Sequence, residues 1–174
     1  MKGSDMDFSK FETPDWLMTG GGAAMLIFGF FLDWTTVDTG FGNAGGDSPF
    51  AYFFTGGIAW LLVVAVAVLA FLRVNGTLPE TQPWPLIFLG ATGLATLLMV
   101  LRVILGARLD FASRGIGMYG ALVWAGIAAA GAYLNFQASG GELSDLTDIN
   151  KLKASFSGNS NNDGDTKPPA PPAQ

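Results

Sequence analysis

Four stretches of this 174-residue chain carry no charged side chain: residues 16–32, 48–72, 81–101 and 115–141. A helix that crosses a bilayer needs about 20 mostly apolar residues to span about 30 Å of hydrocarbon. The last three stretches reach that length. The first falls short, which would leave Asp33-Trp34 at the interface. Lipid offers the backbone no hydrogen-bonding partner, so each segment is expected to close its bonds internally as a helix. The sequence therefore predicts an all-α fold: an antiparallel four-helix transmembrane bundle with spans at about 16–34, 51–72, 85–105 and 117–137.

Half of the residues are hydrophobic and 13% are charged, against about 25% charged in a soluble domain. The deficit is local, because the charges gather in the ends and connections. Four helices apolar all round would leave a soluble protein of this size too little polar surface. Net charge is −5 and no basic cluster exists, which argues against nucleic acid as a partner, since phosphates demand concentrated Lys and Arg. The absence of cysteine excludes disulfides, thiolate metal sites and cysteine nucleophiles. The absence of histidine removes imidazole chemistry and most transition-metal sites. No cofactor and no metal are expected.

Residues 1–14 read as a polar tail and 15–138 as the membrane domain. The tail mixes Lys2 and Lys10 with Asp5, Asp7 and Glu12, and no small-residue cleavage site follows a short apolar region, so the first helix is expected to be retained. Thr13-Pro14-Asp15 reads as a helix start, with Thr13 as cap, Pro14 in the first turn and Asp15 at the positive end of the dipole. Trp16 and Trp34 bracket the first span as an interfacial belt would, although core packing serves either Trp nearly as well. Residues 35–49 are Gly-rich and read as a loop, and 74–83, with Asn75-Gly76, Pro79 and Pro83, as a short turn. In 139–156, Leu146, Ile149, Leu152 and Phe156 recur at helical spacing, and Ser144 could cap the helix. That helix either lies on the membrane surface, attracted weakly to anionic lipid, or is a solvated marginal helix. Residues 157–174 are Asn/Gly/Ser-rich and then Pro-rich, and are expected to be disordered with polyproline character.

Lys and Arg near spans tend to stay cytoplasmic. Lys2, Lys10, Arg73, Lys151, Lys153 and Lys167 favour both termini inside, against Arg102, Arg108 and Arg114 in the third connection.

Arg102 is the charge closest to an apolar interior. The ends of spans one and three emerge on the same side, so Asp33 and Arg102 are expected to form a structural ion pair there, with Arg102 snorkelling toward the headgroups. Gly117, Ala121, Ala125 and Ala129 form a small-residue stripe on the fourth span, with a second line through Gly126 and Ala130. Such stripes let helix backbones approach closely. Thr92 and Thr96 are the polar residues of span three, and their hydroxyls are expected to bond to their own helix. Asp38 and Asp47 do not match a calcium-loop spacing. No serine has a histidine partner or stands in a Gly-x-Ser-x-Gly elbow.

The order of features resembles a broad group of uncharacterised small integral membrane proteins of actinobacteria. Phe31-Leu32-Asp33-Trp34 closes the first span, residues 40–46 form a glycine-rich outer loop, Gly115-Ile116-Gly117-Met118-Tyr119-Gly120-Ala121-Leu122 enters the fourth, and residues 168–172 are Pro-rich. Many members carry Pro where Asp33 stands. The resemblance implies a cell-membrane location and an accessory envelope role, and supplies no activity. Trp34 also gives the outer loop a likeness to claudin-type proteins, from which the missing cysteines and the missing Gly-Leu-Trp separate it. The resulting expectation is a non-enzymatic structural or accessory protein whose partners are the lipid bilayer and either another membrane protein or a second copy. The alternative is a small channel or transporter subunit.

Overall fold

Pro14 and Asp15 begin the first long helix as their chemistry requires. Proline has no N–H to waste in a first turn, and the Asp15 carboxylate accepts a hydrogen bond from the Glu12 N–H at 3.2 Å. The cap position is thus Glu12, one residue ahead of the expected Thr13. The computed structural model of the protein describes residues 8–79, 81–106 and 112–157. The Pro-rich tail from 158 onward, and Arg108 of the third connection, lie outside the described residues.

In chain order the elements are α1 (Thr13–Phe30), β1 (Thr35–Asp38), β2 (Asn43–Gly45), α2 (Ile58–Val74), α3 (Trp84–Leu105), β3 (Ala112–Arg114), α4 (Ile116–Ala138) and α5 (Ile149–Ser157). A 3₁₀ turn (Pro49–Tyr52) and a π turn (Phe53–Gly57) run without a break into α2. A further 3₁₀ turn (Leu143–Leu146) precedes α5. Among the described residues, three helical segments are long and apolar enough to cross a membrane: Pro49–Val74, Trp84–Leu105 and Ile116–Ala138. The segment α1 is not among them. It opens on Thr13-Pro14-Asp15, carries Gly20-Gly21-Gly22 and stops at Phe30, four residues short of the expected Trp34.

Trp34 leaves the helix and turns inward. It is fully buried, and its indole N–H donates to the Phe28 carbonyl at 3.1 Å. It is a core residue, whereas Trp16, 51% exposed, keeps the exposure of a belt residue.

The all-α expectation needs one correction. Residues read as a loop form a small antiparallel sheet of order β2-β1-β3, with Val37 opposite Ala44 on one side and Ala112 on the other. Gly40 and Gly42 adopt φ of 76° and 130°, which glycine alone takes readily, and they turn β1 back into β2. The strands are three or four residues long and too short to show an alternating pattern in sequence.

Four long helices pack side by side: α1 against α2 and α4, and α3 against α2 and α4. Neighbours run antiparallel. Along α1 and α2, Gly22 meets Ala67 and Gly29 meets Trp60; along α1 and α4, Gly131 meets Leu17 and Gly120 meets Phe28. The buried interior is built from small residues and methionine. Met25, Trp34, Ala59, Val63, Ala95, Met99, Met118, Ala121 and Ala125 form one cluster with Trp60 and Ala128. Met18, Val66, Ala70, Phe88 and Ala132 form a second.

The close approach of α1 depends on which side of it lacks side chains. A Cβ on Gly22 would overlap that of Ala67, and one on Gly21 would lie 3.0 Å from the Ala128 Cβ. A Cβ on Gly20 would meet nothing within 4 Å. Overpacking a tight contact costs about 1–3 kcal/mol. Gly22→Leu is therefore expected to lower the thermal midpoint in detergent, while Gly20→Leu keeps the stability within about 0.5 kcal/mol of the parent and leaves the midpoint nearly unchanged. Equal loss in both variants would refute this seating of α1.

Candidate functional site

The charged and polar side chains gather at the two ends of the helices. At one end, Tyr52 sits on the 3₁₀ turn that leads into α2, and Arg102 on the last turn of α3. Arg102 is only 6% exposed. Its guanidinium lies 3.4 Å from the centre of the Tyr52 ring, where the negative face of the ring attracts it. A guanidinium nitrogen also donates to the Gly106 carbonyl, and its Nε has no hydrogen-bond partner among the described residues. The Tyr52 hydroxyl donates to the Asp47 carboxylate at 2.7 Å. The Asp47 N–H donates to the Thr35 hydroxyl at 3.0 Å, and the Asp47 carbonyl accepts from the Trp34 N–H at 3.0 Å. One polar chain thus joins β1, the loop before α2, and the end of α3.

The expected pair of Asp33 and Arg102 is not formed. Asp33 is exposed, and its carbonyl accepts from the Gly117 N–H at 3.0 Å. The physical reason is the arrangement of helices. α1 and α3 each touch α2 and α4 but face each other across the interior. Arg102 turns toward the α2 side and Asp33 lies beside the start of α4. Sequence reading put both at the same end and missed Tyr52 and the role of Asp47. The available signal was Asp47 itself, the last charge before a long apolar stretch.

Arg114 completes this end. Its Nε donates to the Val103 carbonyl at 2.8 Å and a terminal nitrogen reaches the Ile104 carbonyl at 3.4 Å. Arg114 therefore serves the last carbonyls of α3 and Arg102 that of Gly106, which caps it; these carbonyls have no partners within the helix and form its negative end.

Of the small-residue stripe on α4, Gly117, Ala121 and Ala125 are buried, but Ala129 is only half-buried. The buried line continues instead through Ala128 and Ala132. A four-residue repeat drifts about 40° per step on a helix of 3.6 residues per turn, so a straight contact line must slip back to three. This face meets other helices of the same chain: Ala128 faces Gly21, and the Ala125 carbonyl accepts from the Thr96 hydroxyl at 3.2 Å. Gly126 belongs to the second line, and a Cβ there would meet nothing within 4 Å. Thr92 and Thr96 bond to the carbonyls of Phe88 and Thr92 at 2.7 and 2.8 Å, as expected.

At the opposite end, the Arg73 guanidinium donates to the Asn135 side chain at 2.9 Å, tying α2 to α4. Nearby, α5 folds back and leaves a groove of about 810 Å³, lined among others by Pro83, Leu86, Phe136, Leu146 and Lys153. The N-terminus of α5 is capped by Asp148, which accepts from the N–H groups of Asn150 and Lys151 at 2.9 and 3.3 Å. Ser144, the expected cap, lies instead in the preceding 3₁₀ turn. Lys151 pairs with Asp145 of that turn at 2.7 Å. Comparisons with protein-family models, curated proteins and solved structures find no match to this chain.

Two predictions follow from these contacts. Tyr52→Phe keeps the ring under Arg102 and loses a hydrogen bond to a carboxylate, worth about 1.5–3 kcal/mol. Tyr52→Leu loses both, so its thermal midpoint should fall further. Equal midpoints would remove the ring–guanidinium contact from the account. The second concerns acid. The hydrogen bond from Lys151 holds the Asp145 carboxyl below its usual range and raises Lys151. A depressed carboxylate stabilises the fold above its unfolded pKa, and this is lost as pH falls through the folded value. Amide protection in α5, corrected for the intrinsic pH dependence of exchange, should fall below the ordinary carboxylate range, and less so in high salt, because the pair is open to solvent. The Asp145→Asn variant should lack that acid step.

Proposed function

We propose that this chain is a four-span, multi-pass protein of the cell membrane with both termini cytoplasmic. It acts without an enzymatic activity, as a structural or accessory protein that binds another membrane protein or a second copy of itself. The observation that carries the reading is the direction of its large apolar side chains. Ile27 on α1, Leu61 and Val68 on α2, Leu94, Leu97 and Ile104 on α3, and Val123 and Leu134 on α4 are all exposed. Soluble monomers rarely expose contiguous apolar surface beyond a few hundred Å²; in lipid this surface is at home. The helix α1 then completes the four-helix transmembrane bundle as the fourth span, seated by its glycines between α2 and α4.

The partner-binding role is supported by small residues left on the outside. A Cβ added at Gly90 or Gly93 of α3, or at Gly126 of α4, would meet nothing within 4 Å. Outward small residues permit the close helix approach that holds membrane helices together by dispersion. The lack of histidine and cysteine supports the non-enzymatic reading. The resemblance to small actinobacterial membrane proteins points the same way. The channel alternative draws nothing from Thr92 and Thr96, because their hydroxyls already bond to backbone carbonyls.

The cysteine-free sequence makes topology directly measurable. Phe41→Cys at the β1–β2 turn should react with an impermeant maleimide in intact cells, and Ser144→Cys only after the membrane is opened. The reverse pattern would invert the orientation. Crosslinking in native membranes should capture a second protein or a dimer. Recovery of monomer alone would remove the partner-binding role.

A further inference from the structure

The helix α5 is nine residues long. Isolated helices shorter than about 12–15 residues are marginal in water, so α5 needs a surface to bury its apolar side. The described residues supply only part of one. Leu152 is half-buried and lines the groove beside the ends of α3 and α4. Ile149 and Phe156, by contrast, are 78% and 60% exposed. Seven residues apart, they lie on the same side of the helix, within about 20°. Lys153, next to Leu152, lines the groove as well.

The position of α5 says what covers this edge. The groove sets α5 against Pro83, Pro85 and Leu86 at the start of α3 and against Phe136 and residues 139–141 at the end of α4. That is the level at which the apolar helices end. Leu134, on the last turns of α4, is itself exposed, so the flank of α4 is still apolar near this level. Charge does not recruit it. From 142 to 157 the chain has Glu142, Asp145 and Asp148 against Lys151 and Lys153, and Lys151 is already paired with Asp145.

We propose that α5 is an interfacial helix that beds Ile149 and Phe156 into the lipid surface beside the bundle, held by apolar burial rather than by attraction to acidic headgroups. The proposal rests on the membrane-spanning reading above. It fixes α5 in the plane of the leaflet and leaves the groove open to the aqueous side.

The test uses the full chain, reconstituted at low density into phosphatidylcholine vesicles, with one spin-labelled cysteine per variant. The variants are Ile149→Cys, Phe156→Cys, Ser144→Cys and Leu97→Cys. Positions 97, 149 and 156 are expected to be accessible to oxygen and shielded from an aqueous nickel complex, and position 144 the reverse. Adding phosphatidylserine or 0.5 M salt should leave this pattern unchanged, with less than about a twofold change in accessibility. If position 97 is in lipid while 149 and 156 are aqueous, the interfacial helix is overturned and the spanning reading stands. If 97 is also aqueous, both fall. Shielding that appears only with acidic lipid would overturn the apolar basis. Dipolar broadening between labels at 149 or 156 would assign the surface to a second copy and overturn the proposal.

Discussion

Seating α1 between two helices without side chains in the way is the contact on which the remaining packing depends. Gly21 and Gly22 point about 100° apart on a helix, one toward Ala128 of α4 and the other toward Ala67 of α2. Both neighbours therefore reach the α1 backbone at the same level. Farther along, the Trp60 ring crosses Gly29 and its indole N–H reaches the Met25 carbonyl at 2.9 Å. That position lets α1 end where Trp34 can fold into the interior. If α1 stood off by the width of a methyl group, Trp34 would lose contact with Met25, Met99 and Met118 in its cluster. The interior would then contain a gap that alanines cannot fill.

From Trp34 the consequences pass to the capping sheet. Its backbone N–H and carbonyl bond to Asp47 and Gly115 at 3.0 and 2.9 Å, so β1 is clamped between the loop before α2 and the start of α4. Asp47 then orients Tyr52, and Tyr52 supports Arg102. A buried guanidinium is costly unless it is partnered. Here the ring, the Gly106 carbonyl and the negative end of α3 provide the partners. The π turn Phe53–Gly57 shapes the approach: a Cβ on Gly56 would lie 2.7 Å from the Pro49 carbonyl and 3.0 Å from the Trp34 ring. Extra backbone in that turn lets the chain close over Trp34 before entering the regular helix α2.

The parts legible in the sequence are those governed by a single variable. The apolar stretches of about 20 residues put the expected spans 85–105 and 117–137 within a residue of the ends of α3 and α4. The first span was harder, because its end is set by where Trp34 finds a cavity rather than by composition. The start of α2 is irregular for a similar reason, through contacts with Trp34 and Pro49 that lie far apart along the chain. The sheet was invisible because each strand contributes three or four residues and β3 pairs across more than seventy positions with β1. The Asp33–Arg102 expectation failed on rotation. Hydropathy gives the end of a span but not which neighbour its last side chain faces. The α4 stripe was right in kind and one residue off at Ala129, since a period of four cannot follow a helix of 3.6.

The division between interior and exterior constrains where recognition can occur. Inside, the hydroxyls of Thr92 and Thr96 are tied to carbonyls, the Thr19 hydroxyl is buried without a partner among the described residues, and the two core clusters are alanine, valine, methionine and aromatic side chains. Such an interior holds helices in register but presents little chemistry to a ligand. The charged groups are displaced to the ends: Asp47, Arg102 and Arg114 at the sheet, and Arg73, Asp145 and Lys151 near the groove. At the sheet these groups bond inward, onto the ring of Tyr52 and the last carbonyls of α3, so their main effect is to hold the cap. What remains directed outward is apolar: Leu94 and Leu97 beside Gly93 on α3, Val123 beside Gly126 on α4, and Phe41 at the β-turn. A surface of that kind offers shape and close approach rather than polar groups. The outer faces of α3 and α4 thus combine large apolar side chains with glycines, and the polar contacts at the two ends tie these helices to their neighbours.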